Sequence, residues 1–216
     1  MSDKRIVQIE ISMPTSDGAG VNLRRAIGRP GLRHIDPFLM LDEIRSDDPN
    51  DYIAGFPPHP HKGFETLSYM LQGCMAHEDS TGGKGLITTG GVQYMTAGKG
   101  IIHSETPKQD SGLLWGFQLW LNLPAKDKLV PARYRDIPSE DIPLVKLGVH
   151  GTAKLIAGAL NSGSQNSGYK KSDESNIEAK GPVVRDDLDL TIFDVSSAKA
   201  QSHSFALPEA NHGFIY

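Results

Sequence analysis

Four residues in this chain have types and spacing suited to holding a metal ion: His59 and His61, two apart, then His103 and Glu105, again two apart, about forty residues later. A β-strand sends residues i and i+2 to the same face. Two such pairs on facing strands would aim three imidazoles and one carboxylate at a single point between them. That mixed donor set suits a borderline divalent ion, so iron, manganese, nickel or copper are chemically reasonable, and zinc is an option. Four protein ligands on an octahedral ion would leave two positions for substrate or dioxygen. The spacing therefore proposes a metal centre able to do chemistry, and strands must position it.

The flanking residues fit strands. Pro60 fixes φ and lacks an N–H donor, which suits an edge or bulged strand. The turn Gly98-Lys99-Gly100 lets the backbone bend directly before His103. Strand patterns are expected over residues 6–13, 38–44, 64–71, 74–78, 92–96 and 115–123. Turn signals fall at residues 47–51, Gly73, Gly82-Gly83 and Gly90-Gly91. Strands at such spacing argue for an all-β sandwich or barrel, and no segment carries a sustained 3.6-residue period.

After Pro124 the texture changes. Four prolines, Pro124, Pro131, Pro138 and Pro143, are spread through polar residues, reading as a linker over residues 131–144 between domains at 1–130 and 145–216. The second β pattern includes residues 154–159 and the alternating DLDLTIFDV at 187–195. Residues 161–176 (NSGSQNSGYKKSDESN) read as a mobile loop. Residues 213–216 look like the middle of another strand, so the second domain is expected to be cut short.

Composition narrows the function classes. The chain has 216 residues with 23 glycines, 14 prolines and a formal charge of −4, which leaves no basic footprint for direct nucleic-acid or acidic-membrane binding. Its one cysteine, Cys74, cannot form an internal disulfide and reads as a packed, unreactive thiol. Residues 1–18 lack a signal-peptide apolar core, and no stretch approaches the ~18 apolar residues of a membrane span. A cytoplasmic location is expected, or a nuclear one in a eukaryote.

Residues 18–145 resemble the pirin family of the cupin superfamily. The resemblance rests on RRAIGRPGLRHIDPFLMLDE (24–43), GFPPHPHKGFETLSYMLQG (55–73), MAHEDS (75–80), QYMTAGKGIIHSE (93–105) and GFQLWLNL (116–123). It implies two cupin barrels of the double-stranded β-helix (jelly-roll) type, with a mononuclear iron, Fe(II), in the first. Position by position, the family's ligands fall on His59, His61, His103 and Glu105. Members are described as iron-dependent quercetin 2,3-dioxygenases in bacteria and as redox-responsive transcription cofactors in animals. The resemblance thus implies a small flavonol-like substrate with O2, Glu105 acting as both ligand and general base. Alternatively it implies a protein partner sensing the metal's redox state, or a metal-binding cupin of unrelated activity.

Other candidates carry weaker signals. Glu65 lies four residues beyond His61 and is expected to orient an imidazole rather than ligate. His77-Glu78-Asp79 precedes a Gly-rich turn and reads as a solvated strand end. His34, His150, His203 and His212 are isolated. Phe56, Met95, Phe117, Gln118 and Trp120 could line a cavity, with barrel core an equal reading for the four apolar ones.

Overall fold

A computed structural model describes residues 4–160, 179–200, 202–203, 205 and 212–216. The polar stretch at 161–176 lies outside the described residues. Among the described residues, strands run in chain order: β1 Met13–Asp17, β2 Val21–Ile27, β3 Phe38–Ser46, β4 Phe56–His61, β5 Phe64–Gln72, β6 Cys74–Asp79, β7 Lys84–Thr88, β8 Val92–Thr96, β9 Ile101–Pro107, β10 Leu114–Asn122, β11 Arg133–Ile137, β12 Leu144–Leu147, β13 Gly151–Ala157, β14 Ala159–Leu160, β15 Ala179–Lys180 and β16 Ile192–Ser197. Helix among the described residues is limited to three 3-10 turns at Pro49–Asp51, Ala125–Asp127 and Ser139–Asp141. None of it is long and apolar enough to cross a membrane.

Two compact units emerge, Gln8–Ser139 and Met1–Val7 with Glu140–Tyr216. The first holds two antiparallel sheets, one of seven strands in the order β1-β2-β3-β10-β5-β8-β11 and one of four in the order β4-β9-β6-β7. Their inner faces share a core: Val21, Leu23, Ile44, Met70 and Leu114 from the larger sheet pack with Met75 and Ile87 from the smaller, and with Tyr52. Burying each such apolar side chain contributes about 1.5–3 kcal/mol.

Period-two patterning explains which side chains enter. On β9, Ile101, His103, Glu105 and Pro107 are buried while their neighbours are not. β5 lies between β10 and β8 and is buried continuously from Glu65 to Met70, as an inner strand covered on both faces should be. Residues Arg133–Ile137, inside the proline-spaced stretch, pair with β8 as β11.

The other unit contains a three-stranded sheet β12-β13-β16 and the β14-β15 pair. Val145, Ala153, Leu155 and Leu160 form its core, with Phe193 and Phe205 packed against it.

Two expected strands are absent. Residues 6–12 are not in a strand, and Ile6, Val7, Ile9 and Ile11 are exposed. Alternation marks a strand only where an edge accepts it, and the first β pairing begins at Met13 instead. Residues 213–216 are likewise not in a strand, and Ile215 is exposed.

Candidate metal centre

The four-stranded sheet brings the two spaced pairs together. β4 and β9 run antiparallel with His59 opposite His103 and Phe56 opposite Glu105. The register shifts between Phe56 and His59, where Pro57 and Pro58 supply no N–H donors, and β4 is an edge of its sheet. Gly98 and Gly100 take positive φ values of 51° and 136°, turning the chain into β9. The imidazole donor atoms of His59, His61 and His103 all lie within 4.8 Å of one another.

Glu105 stands outside that trio. Its buried carboxylate accepts two hydrogen bonds from the Gln118 amide, at 3.0 and 3.2 Å, and one from the Ser68 hydroxyl at 3.4 Å. Gln118 is held in turn, its carbonyl oxygen accepting from the Trp120 indole at 3.2 Å. The register explains both partners: Ser68 on β5 sits opposite Gln118 on β10, and both reach the Glu105 carboxylate on β9.

The residues fit a bound cation. His59 donates its Nδ1–H to the Pro57 carbonyl at 2.8 Å, which leaves Nε2 to face the other imidazoles. That Nε2 lies 3.0 Å from Nε2 of His61. Two lone pairs cannot face each other so closely without a proton or cation between them. Ligands at right angles on an ion with bonds of about 2.1 Å would be separated by about 3.0 Å. Nε2 of His103 is buried and has no hydrogen-bond partner, an orphaned ring nitrogen of the kind a metal satisfies. Burial, then the neighbouring His59, pushes His61 down to about 4. Burial, with His61, His59 and His77 adding, pushes His103 down to about 2. Both imidazoles are therefore neutral near pH 7, the form that ligates.

Around the imidazoles stand half-buried aromatics. Phe64 and Trp120 pack against His61 with centroids 4.9 and 5.1 Å away, and against each other at 4.5 Å. Phe56 lies 6.5 Å from His59. Phe56, Phe117 and Gln118 also line, with Glu105, Ser68 and Met70, a mostly apolar cavity of about 20 Å³, room for about one water. Met95 is not at that cavity: fully buried, it belongs to a core cluster with Ala97 and Ile101. Buried Glu65 accepts from the Tyr94 and Thr96 hydroxyls at 2.5 and 2.8 Å.

The reading of His77-Glu78-Asp79 as a solvated strand end is corrected for two of the three. Glu78 is exposed and paired with Lys84, but the side chains of His77 and Asp79 are fully buried. The Tyr134 ring from β11 lies against the His77 ring, centroids 4.8 Å apart. His77 Nδ1 is 3.1 Å from Nδ1 of His103, and its Nε2 is 3.3 Å from Oδ2 of Asp79. Burial opposes charge on Asp79, but hydrogen bonds from the Thr81 hydroxyl and amide, the Gly83 amide and His77 hold its carboxyl below the usual range. Gly83 has no room for a side chain, since a Cβ would overlap the Tyr134 ring and the Asp79 carboxylate. The sequence signal available was the spacing of His77 and Asp79, again i and i+2, next to a glycine turn.

Comparison with known proteins agrees with the motifs. The Pirin family model matches residues 20–121. A Pseudomonas aeruginosa protein provisionally named a quercetin 2,3-dioxygenase is 44% identical over 98% of this chain and 70% of its own length. Human pirin is 46% identical, over all of this chain and 67% of its own. A crystal structure of a quercetin 2,3-dioxygenase from Acinetobacter baumannii superposes with a TM-score of 0.75 at 32% identity, over 91% of this chain and 65% of that one. The chain thus spans about two thirds of the length of these relatives.

Proposed function

The chain belongs to the pirin family, all-β proteins of the cupin superfamily, and from that premise we propose that it is an iron-dependent dioxygenase opening flavonol-type substrates. The observation that carries the reading is the convergence of three imidazoles, with the orphaned Nε2 of His103 among them, beside a buried carboxylate in a partly aromatic setting. His59, His61 and His103 would hold the metal, with Glu105 the fourth ligand once its carboxylate turns from Gln118. When bound, Fe(II) supplies Lewis acidity and a template for bringing dioxygen to an electron-rich enolate.

The chain's own residues do the rest. Glu105 accepts the enol hydroxyl proton of the substrate on a carboxylate oxygen. Gln118 and Ser68 keep that carboxylate oriented between turnovers. The cavity beside Glu105 admits a water-sized guest and no fused ring, so the substrate's rings would rest outside it, against the half-buried Phe64 and Trp120 beside His61.

The cavity's small volume also supports a second reading, in which the metal's oxidation state tunes affinity for a protein partner and no substrate is turned over. Anaerobic loading with Fe(II), followed by quercetin and air, separates them. Quercetin loss with carbon monoxide release, abolished in Glu105→Gln at equal iron content, supports the dioxygenase. No turnover by the iron-loaded protein sinks it.

A further inference from the structure

We propose that Asp79 and His77 form a hydrogen-bonded relay that fixes the tautomer of His103, keeping the His103 proton on Nδ1 and its Nε2 lone pair aimed at the imidazole cluster. The relay reads from its fixed end. Oδ1 of Asp79 accepts from the Thr81 amide at 2.7 Å, the Thr81 hydroxyl at 2.6 Å and the Gly83 amide at 3.2 Å. Its Oδ2 is left to accept Nε2–H of His77, at 3.3 Å. In the proposed relay His77 carries a single proton, on Nε2, and so offers Nδ1 as a lone pair. His103 must then donate Nδ1–H to it, across 3.1 Å, which leaves Nε2 of His103 unprotonated. Both relay side chains are shielded from water, and Tyr134 covers His77, so solvent does not supply competing partners.

The register makes the chain of bonds possible. Asp79 on β6 lies opposite His103 on β9, and His77 lies opposite Glu105, so one strand supplies both relay groups to the inner face. His77 and Asp79 are positioning residues, acting on the metal through His103. The inference rests on the metal-centre reading for its purpose, while the tautomer itself is a property of the metal-free protein.

The geometry distinguishes two substitutions. In Asp79→Asn the three donors at Oδ1 still demand an oxygen there, so the amide NH2 replaces Oδ2 and faces His77. His77 must then accept on Nε2 and carry its proton on Nδ1, which drives the His103 proton to Nε2, where it blocks ligation. In His77→Gln the amide oxygen can still accept from His103 Nδ1–H, whereas His77→Leu offers nothing.

The test is a ring 15N NMR spectrum of the full chain, stripped of metal by chelation at pH 7.5, paired with Zn(II) affinity by chelator competition. Expected are Nδ1–H on His103 in the wild type and in His77→Gln, and Nε2–H in Asp79→Asn. Zn(II) affinity should fall about 10–100-fold in Asp79→Asn and His77→Leu, with His77→Gln recovering most of the loss. A wild-type His103 protonated on Nε2 overturns the relay without needing any variant to fold. So does an Asp79→Asn protein whose His103 tautomer and Zn(II) affinity match the wild type. A wild-type chain that binds no metal while His103 still carries Nδ1–H would sink the metal-centre reading and leave the relay standing.

Discussion

Acidification should destabilise the metal-free Gln8–Ser139 unit, by an amount set by His61 and His103. The two imidazoles are 4% and 2% exposed, and burial takes them from 6.5 to about 4 and about 2. A histidine depressed in the folded state is protonated first in the unfolded chain. Its contribution to stability is therefore complete above pH 6.5 and is lost as pH falls toward its folded value. At pH 5 each group has lost about 2 kcal/mol, 1.5 pH units at about 1.4 kcal/mol per unit. Together they remove about 4 kcal/mol, a large share of a typical domain stability of about 5–15 kcal/mol.

The assay is urea unfolding of the chelator-treated protein at pH 7.5 and pH 5. Tryptophan fluorescence reports only this unit, because the chain's two tryptophans, Trp115 and Trp120, both lie on β10. Comparing wild type with His61→Gln removes the His61 contribution, while His103, held down first by its own burial, keeps most of its share. The wild type should lose about 4 kcal/mol between the two pH values and His61→Gln about 2 kcal/mol, since one of the two groups is gone. A wild type with flat stability, or a His61→Gln protein with the full wild-type loss, would refute the reasoning.

Three substitutions give further expectations. Arg25→Met removes the two-pronged pairing with Asp42, at 2.8 and 2.7 Å, and strands a carboxylate that is 3% exposed. Urea unfolding should show a loss of about 3–5 kcal/mol. Gln118→Leu takes the amide donor from Glu105 and should lower the stability of the metal-free protein by about 1.5–3 kcal/mol in the same experiment. Gly83→Ala should weaken Zn(II) binding about 10-fold while circular dichroism stays that of the wild type, because the added methyl displaces the Tyr134 ring and the Asp79 carboxylate that hold His77.

Sequence reasoning reached those parts of the site that depend on one strand at a time. The spacing of His59 with His61 and of His103 with Glu105 sets their faces, and Pro60 marks β4 as an edge. It missed His77 and Asp79 because their burial depends on Tyr134, more than fifty residues away, folding over them from β11. The hold of Gln118 on Glu105 was illegible for the same reason, since it needs the register of β10 against β5. Residues 6–12 erred in the other direction: their alternation is a real pattern, but β2 pairs with Met13–Asp17 instead. Periodicity reports which face could be buried, and only a partner decides whether it is.

Metal content tests the central claim most directly. The full chain, loaded anaerobically with Fe(II) and freed of excess by desalting, should carry about one equivalent by elemental analysis. The His59→Ala/His61→Ala protein, treated identically and shown folded by tryptophan fluorescence, should carry almost none. An iron-free wild type, or a double variant that retains the full equivalent, would contradict a metal centre built on these imidazoles.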